Sequence, residues 1–140
     1  MAEESTTPVL VELWRQGCEA FNKGDLDATL RLYAPDAAMD MTRTLGITAL
    51  GSAAIRSFYE DWLAPYKELT VALEDPVDLV NGVTFAIVRS SARLLGSTGY
   101  VQQREGVLAV WVDGVITSQV FWQDIDQARA AAERLAEERG

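Results

Sequence analysis

The group in this chain best suited to moving a proton is Asp40, an acid flanked by Ala38, Met39 and Met41 in a short run with strand character. Burial among apolar neighbours disfavours the charged carboxylate and raises its pKa toward the working range of a general base, unless a cation offsets the desolvation. Arg89 is such a cation. Brought together, the guanidinium would bind a carbonyl, carboxylate or enolate oxygen while the carboxylate shuttles a proton. The same pair could equally be a structural ion pair, and Glu74 is a second partner open to Arg89, which would leave Asp40 free. Gln119 offers a neutral hydrogen bond, either within a pocket or to a backbone group.

Other chemistries lack their residues. The chain contains no histidine, so Ser-His-Asp and Cys-His nucleophiles and histidine-based metal sites are excluded, and no metal or other cofactor is expected. Cys18, the single cysteine, falls on the apolar side of a predicted helix and reads as core. Twelve basic against twenty-one acidic residues give a net charge of −9. Such a chain repels phosphate backbones and anionic lipid, so neither nucleic acid nor membrane is expected as a partner. No secretory segment and no long apolar run occurs, and the expected location is cytoplasmic.

With 140 residues, 49% of them hydrophobic, the chain is sized for one domain. Residues 1–7 read as a disordered tail and 8–140 as the domain. Leu10, Leu13, Trp14, Gly17, Cys18 and Phe21 mark one face of a first helix that stops at Lys23-Gly24. Asp25 caps a second, short helix bearing Leu26, Leu30, Tyr33 and Ala34, ended by Pro35. A strand at Ala37–Met41 follows, then a third helix from Ser52 to Pro65 with Ile55, Phe58, Tyr59 and Trp62 on one stripe. Trp14, Tyr59 and Trp62 are expected to wall a cavity or to serve as core. From Asp126 to Arg139 runs an alanine-rich helix, capped by Asp124 or Asp126.

Between these helices, Asn81-Gly82 and Asp113-Gly114 are type I′ hairpin signals, each between β-branched runs. With a reversal at Gly96–Gly99 they give a meander of four strands, about residues 67–80, 83–95, 99–112 and 115–123, long enough to require curvature, with bends at Pro76 and Gly106. A regular register from the Asp113-Gly114 turn places Phe85, Ile87, Leu108, Val110 and Phe121 on one face together with Glu74, Arg89, Ser91, Arg104 and Gln119. That face is expected to line the concave side, Arg104 nearer its mouth. The other face carries Val107, Ala109, Trp111, Ile116, Val120 and Trp122, with Glu105 and Gln103 toward one end. Because helices can cover only one side, the second is expected to form a homodimer through Trp111, Ile116, Val120 and Trp122. The alternative is that the C-terminal helix covers it within one chain.

Helix–helix–strand–helix followed by a curved meander resembles the nuclear-transport-factor-two-like fold, in particular its small SnoaL-like members. The resemblance rests on FNKGDLDATLRLYAPDAAMDM (Phe21 to Met41), GSAAIRSFYEDW (Gly51 to Trp62) and DGVITSQVFWQDIDQA (Asp113 to Ala128), whose order and spacing cover almost the whole chain. It implies an α+β fold in which a cone-shaped, curved antiparallel sheet wraps around the N-terminal helices and encloses an apolar pocket, with a C-terminal helix. It also implies that dimers form through the outer sheet face. The family includes ketosteroid isomerase, limonene epoxide hydrolase, scytalone dehydratase, polyketide cyclases and members without catalysis, so fold alone does not choose among them. The isomerase's base, oxyanion tyrosine and protonated aspartate align with Met41, Gly17 and Gly106, so its machinery is missing; Asp40 lies one residue from the base position. The epoxide hydrolase's set aligns with Asp40, Arg89 with Ser91, and Phe121, and only the arginine matches. Asp124 reads as the cap of the last helix.

The expectation is therefore a protein that binds a small, mostly apolar metabolite, with cofactor-free proton transfer (isomerisation, aldol cyclisation or dehydration) by Asp40, Arg89 and Gln119. The ligand would lie against Trp14, Tyr59, Trp62, Glu74, Phe85, Ile87, Ser91, Arg104, Leu108 and Phe121. The rivals are a non-catalytic ligand-binding or dimerisation module and, behind it, an epoxide hydrolase. On this reading, Asp40 and Arg89 turned to solvent, or a cone filled solid, would remove the small-molecule case.

Overall fold

Val11, Trp14, Gly17 and Phe21 recur on one side of the first helix, and all four are buried. The structure, a computed structural model, describes residues 9–140; the tail expected at residues 1–7 lies outside them. The first helix is α1 (Val9–Asn22), followed by the short α2 (Leu26–Leu30), whose first turn is capped by the Asp25 carboxylate accepting from the Ala28 N–H at 3.0 Å. Then come β1 (Tyr33–Met41), β2 (Ile47–Leu50) and α3 (Ser52–Leu63). The meander is β3 (Tyr66–Asp78), β4 (Val83–Leu94), β5 (Tyr100–Val112) and β6 (Val115–Trp122), and the last helix is α4 (Ile125–Arg139), capped by Asp124.

One six-stranded sheet runs in the order β2-β1-β6-β5-β4-β3, with β1 and β6 parallel and the other neighbours antiparallel. The helix expected to reach Pro35 is cut short because Tyr33 already joins the sheet opposite Ile116. Pairing across the fold overrides the local helical pattern there. The Asp113-Gly114 turn has φ of 53° and 81°, the pair of positive values that a type I′ turn requires. Pro76 sits where the β3–β4 register shifts, as expected of a bulge. Gly106 has a different reason: a Cβ there would lie 2.5 Å from the Ala128 Cβ, so glycine lets α4 approach the sheet.

The second bulge changes the reading of the faces. Val112 pairs with Val115 and Trp111 with Ile116, but Val110 pairs with Ser118, leaving Thr117 as the extra residue. Every side chain of β6 beyond it swaps faces relative to a regular hairpin. Gln119 and Phe121 therefore join Val107 and Ala109, whereas Val120 and Trp122 turn to the other side.

α1 and α3 lie over the concave face, where Trp14, Met39, Ile55, Ala86, Val107, Ala109, Trp111 and Ile116 form the main core. α4 lies over the convex face, with Ala128, Ala132 and Ala136 packed against Val83, Phe85, Ile87, Leu108 and Val110. This corrects two expectations. Phe85, Ile87 and Leu108 belong to the core under α4 rather than to a pocket. Trp111 and Ile116 are inside the concave core at 3% and 0% exposure, which removes them from the expected dimer face, and Val120 and Trp122, on the opposite side of the sheet, are partly buried against the α4 cluster. The covering is intrachain, and its sequence signal is the alanine stripe facing Gly106.

Candidate functional site

The concave side is not filled. A cavity of about 270 Å³ remains between α1, α3 and the sheet, just below the usual range of about 300–1,000 Å³ for ligand pockets. From α1 it is lined by Trp14, Cys18 and Phe21, and from α3 by Phe58, Tyr59 and Trp62. The strands contribute Tyr33, Met39 and Met41 of β1, Val88 and Ser90 of β4, Gln103 and Glu105 of β5, and Gln119 and Phe121 of β6. The helical aromatics brace one another: Phe21 stacks on Trp62 at 5.7 Å between centroids and Phe58 on Trp62 at 5.9 Å. Burial falls along β5 from Val107 through Glu105 to the exposed Gln103, and Leu45 of the β1–β2 loop, also on the lining, is exposed. The mouth is therefore at the Gln103 and Leu45 end, and Trp14, Tyr33 and Gln119 lie deep.

At the deep end three side chains form a chain of hydrogen bonds. The Tyr33 hydroxyl donates to Gln119 Oε1 at 2.9 Å, and the Tyr33 and Tyr59 hydroxyls are 2.8 Å apart. Tyr33 has one proton and Gln119 Oε1 accepts it, so the bond between the tyrosines must be donated by Tyr59. The polarity Tyr59 to Tyr33 to Gln119 fixes the amide. Its Nε2 has no acceptor among the described residues, leaving N–H groups for an oxygen in the cavity. Burial raises both phenol pKa values well above the ordinary range, so the tyrosines stay protonated and serve as hydrogen-bonding groups.

Glu105 is the single acid on the lining, and no lysine or arginine accompanies it. Its closest polar partner is the Gln103 amide, at 3.4 Å. Desolvation raises its pKa above the usual carboxylate value, because no cation is there to reverse the effect. Cys18, also on the lining, is pushed up to about 12 by burial and then by Glu19, which leaves it a thiol.

Of the residues expected from sequence, Trp14, Tyr59, Trp62, Gln119 and Phe121 line the cavity. Asp40, Glu74, Arg89, Ser91 and Arg104 do not. Asp40 alternates outward from Met39 and Met41; its Oδ1 accepts from the Thr42 hydroxyl at 2.7 Å and the Thr42 N–H at 2.9 Å, and Arg43 stands 3.6 Å away. These bonds, the hydroxyl's first, lower its pKa, opposite to the rise expected from burial. Arg89 and Arg104 lie on the convex side, where Glu74 joins both, at 2.8 and 2.9 Å. The partner of Arg89 is thus Glu74, and the proton-transfer pair of Asp40 and Arg89 does not exist, nor does the hydrolase's arginine reach the cavity. Asp40 and Arg89, turned outward and partly exposed, thus meet the condition that removes the small-molecule case built on that pair, and a small-molecule site rests instead on the open cavity with a different polar set. Tyr33 was hidden by its assignment to a helix, whereas Glu105 was visible as an acid on an otherwise apolar strand face.

An open, curved sheet around N-terminal helices with a cavity between them defines the nuclear-transport-factor-two-like fold. Residues 14–119 match the family model described as SnoaL-like domain, and the chain belongs to that family. No curated protein matches the chain in sequence. Among solved structures it is similar to a protein with a ketosteroid isomerase-like fold from Catenulispora acidiphila in complex with trimethylamine (17% identity, 91% of this chain and 94% of that one, TM-score 0.71). A Mycobacterium tuberculosis protein in complex with estradiol-17beta-hemisuccinate is similar at 17% identity over 86% and 97% of the two chains, with a TM-score of 0.70. A putative polyketide cyclase from Xanthomonas campestris shares 24% identity over 87% and 95%, with a TM-score of 0.60. At such identities the likeness concerns the fold. No helix among the described residues is long and apolar enough to cross a membrane.

Proposed function

We propose that this chain binds a small, largely apolar organic molecule in the cavity and holds an acceptor oxygen of that molecule on the Gln119 amide. The observation that carries the reading is the hydrogen-bond relay: a buried glutamine whose carbonyl is fixed by Tyr33 turns unpaired N–H groups toward an open, aromatic-walled space. The steroid ester and the amine of the two neighbours differ in size and charge, so they support a small-molecule ligand without choosing its type. The test is calorimetric titration with 1-tetralone and with tetralin, its hydrocarbon analogue. One neutral hydrogen bond contributes about 0.5–1.5 kcal/mol, so Gln119→Leu should weaken the ketone about three- to tenfold and leave tetralin within about twofold. Unchanged ketone affinity in the variant, or no binding of either compound, would end the proposal.

Glu105 supports a second, catalytic reading, cofactor-free proton transfer. As the lining's one carboxyl, with its pKa raised, it replaces Asp40 as the candidate base. Gln119 stands opposite Ala109, four residues from Glu105, about 13 Å along the strand at the usual rise. That spacing suits a proton remote from the oxygen, such as the γ-proton of a conjugated ketone. Glu105 would take this proton, the C–H electron pair would pass through the conjugated system to an enolate oxygen held by Gln119, and return of the proton to a different carbon would give the isomer. Aldol cyclisation and dehydration would use the same base. Deuterium entering the γ-position of a cyclic enone in D2O, and lost in Glu105→Gln, is the expected result; exchange no faster than in buffer would leave binding alone.

A further inference from the structure

The charges around the cavity are distributed in a way that ligand binding in general does not require. Glu105 faces inward from β5, directly across from Val88 and diagonal to Phe121 on β6. It takes part in none of the ion pairs among the described residues. Its chain neighbour Arg104 points to the opposite side of the sheet and is held by Glu74. The lining thus pairs one carboxylate with a wall of aromatic rings and contains no basic side chain. A desolvated carboxylate without a counter-charge is unfavourable, and aromatic faces attract cations through their quadrupole. The chain as a whole carries −9, which draws cations toward any opening.

We infer that the ligand of this cavity is an organic cation, an amine or quaternary ammonium group on an apolar skeleton, with Glu105 as its counter-charge near the mouth and the aromatic wall around it. The inference rests on the reading of the cavity as a ligand site and names the ligand's charge. It excludes carboxylates and phosphate esters, which would meet Glu105 with no cation to receive them.

Two probes of nearly the same shape test it: phenyltrimethylammonium and its neutral isostere tert-butylbenzene, followed by the fluorescence of the lining tryptophans Trp14 and Trp62. Wild-type protein should bind the cation at least about tenfold more tightly. Glu105→Gln should lower the cation's affinity about tenfold while tert-butylbenzene stays within about twofold, which also shows the variant to be folded. Asp113→Asn, in the exposed β5–β6 turn, removes the same unit of charge and should leave the ratio between the probes unchanged. Equal affinity of the two probes for wild type, or an equal drop in the ratio in both variants, overturns the cationic ligand and leaves the cavity as a site for neutral molecules. Absence of binding by either probe overturns the ligand site itself, and this inference with it.

Discussion

Removal of one hydroxyl from each tyrosine of the relay should have unequal consequences. In Tyr33→Phe the Gln119 Oε1 loses the donor 2.9 Å away, and Tyr59 loses its acceptor. Gln119 is 3% exposed and Tyr33 7%, so the stranded carbonyl has little access to water. A buried acceptor left without a partner costs about 1–3 kcal/mol. In Tyr59→Phe, by contrast, Tyr33 still donates to Gln119 and only a lone pair of its oxygen goes unused, a loss of about 0.5–1 kcal/mol. For a chain of this size 1 kcal/mol corresponds to about 3–5 °C in Tm. Thermal unfolding followed by circular dichroism should therefore rank wild type above Tyr59→Phe above Tyr33→Phe, with the double variant close to Tyr33→Phe alone because the two positions act through one relay. A larger loss for Tyr59→Phe than for Tyr33→Phe would reverse the proton order and, with it, the assignment of free N–H groups to Gln119.

Three further outcomes follow from the packing and the shifted groups. Gly106→Ala sets a Cβ 2.5 Å from Ala128 and 3.2 Å from the Ile125 Cα, and overpacking of this kind costs about 1–3 kcal/mol; denaturant unfolding should show the loss, and an unchanged midpoint would mean that α4 does not lie on this face. Glu105 has a raised folded pKa, so the folded state holds its proton more tightly than the unfolded chain, and its penalty to stability is absent at low pH and grows as pH rises from the ordinary glutamate value through the folded one. The Tm of Glu105→Gln relative to wild type should accordingly rise across that window and be flat above it; a difference that falls with pH would contradict the desolvation. Cys18, at about 12 against an ordinary 9.0, carries about a thousandfold less thiolate than a free cysteine at pH 8, so iodoacetamide should label it at that reduced rate until denaturant is added, as intact mass measurement would show.

Local chemistry was legible in the sequence and long-range chemistry was not. The Asp25 and Asp124 caps and the Asp113-Gly114 turn are decided within a few residues, and all three stand where the sequence places them. The first half of β1 escaped because its pairing partner is distant, Tyr33 lying opposite Ile116, and because Pro35 reads locally as a helix stop; β2 is a four-residue edge strand that pairs only with β1, Met41 opposite Ile47, and is too short to carry a pattern of its own. Strand alternation correctly grouped Glu74, Arg89, Ser91 and Arg104, since parity is a local property. It could not say which face the helices cover, and this one ambiguity moved those residues from inside to outside. The Thr117 bulge reversed the error for Gln119 and Phe121 alone, which is why they line the cavity although the register used to place them there was regular.

The partition of charge across the sheet carries the argument from fold to function. On the convex side one carboxylate, Glu74, satisfies two arginines that remain about half exposed, 44% for Arg89 and 52% for Arg104. Ion pairs in such surroundings contribute about 0–1 kcal/mol and hold the sheet's outer surface in place. On the concave side the adjacent residue of β5, Glu105, takes part in no ion pair among the described residues and meets only the Gln103 amide, at 3.4 Å, whereas a glutamine at 105 would avoid its desolvation. Packing therefore gives no reason for an acid at this position. Stability would be served as well or better by a neutral side chain, which is the ground on which the proposed cationic ligand, rather than the packing, is asked to account for the carboxylate.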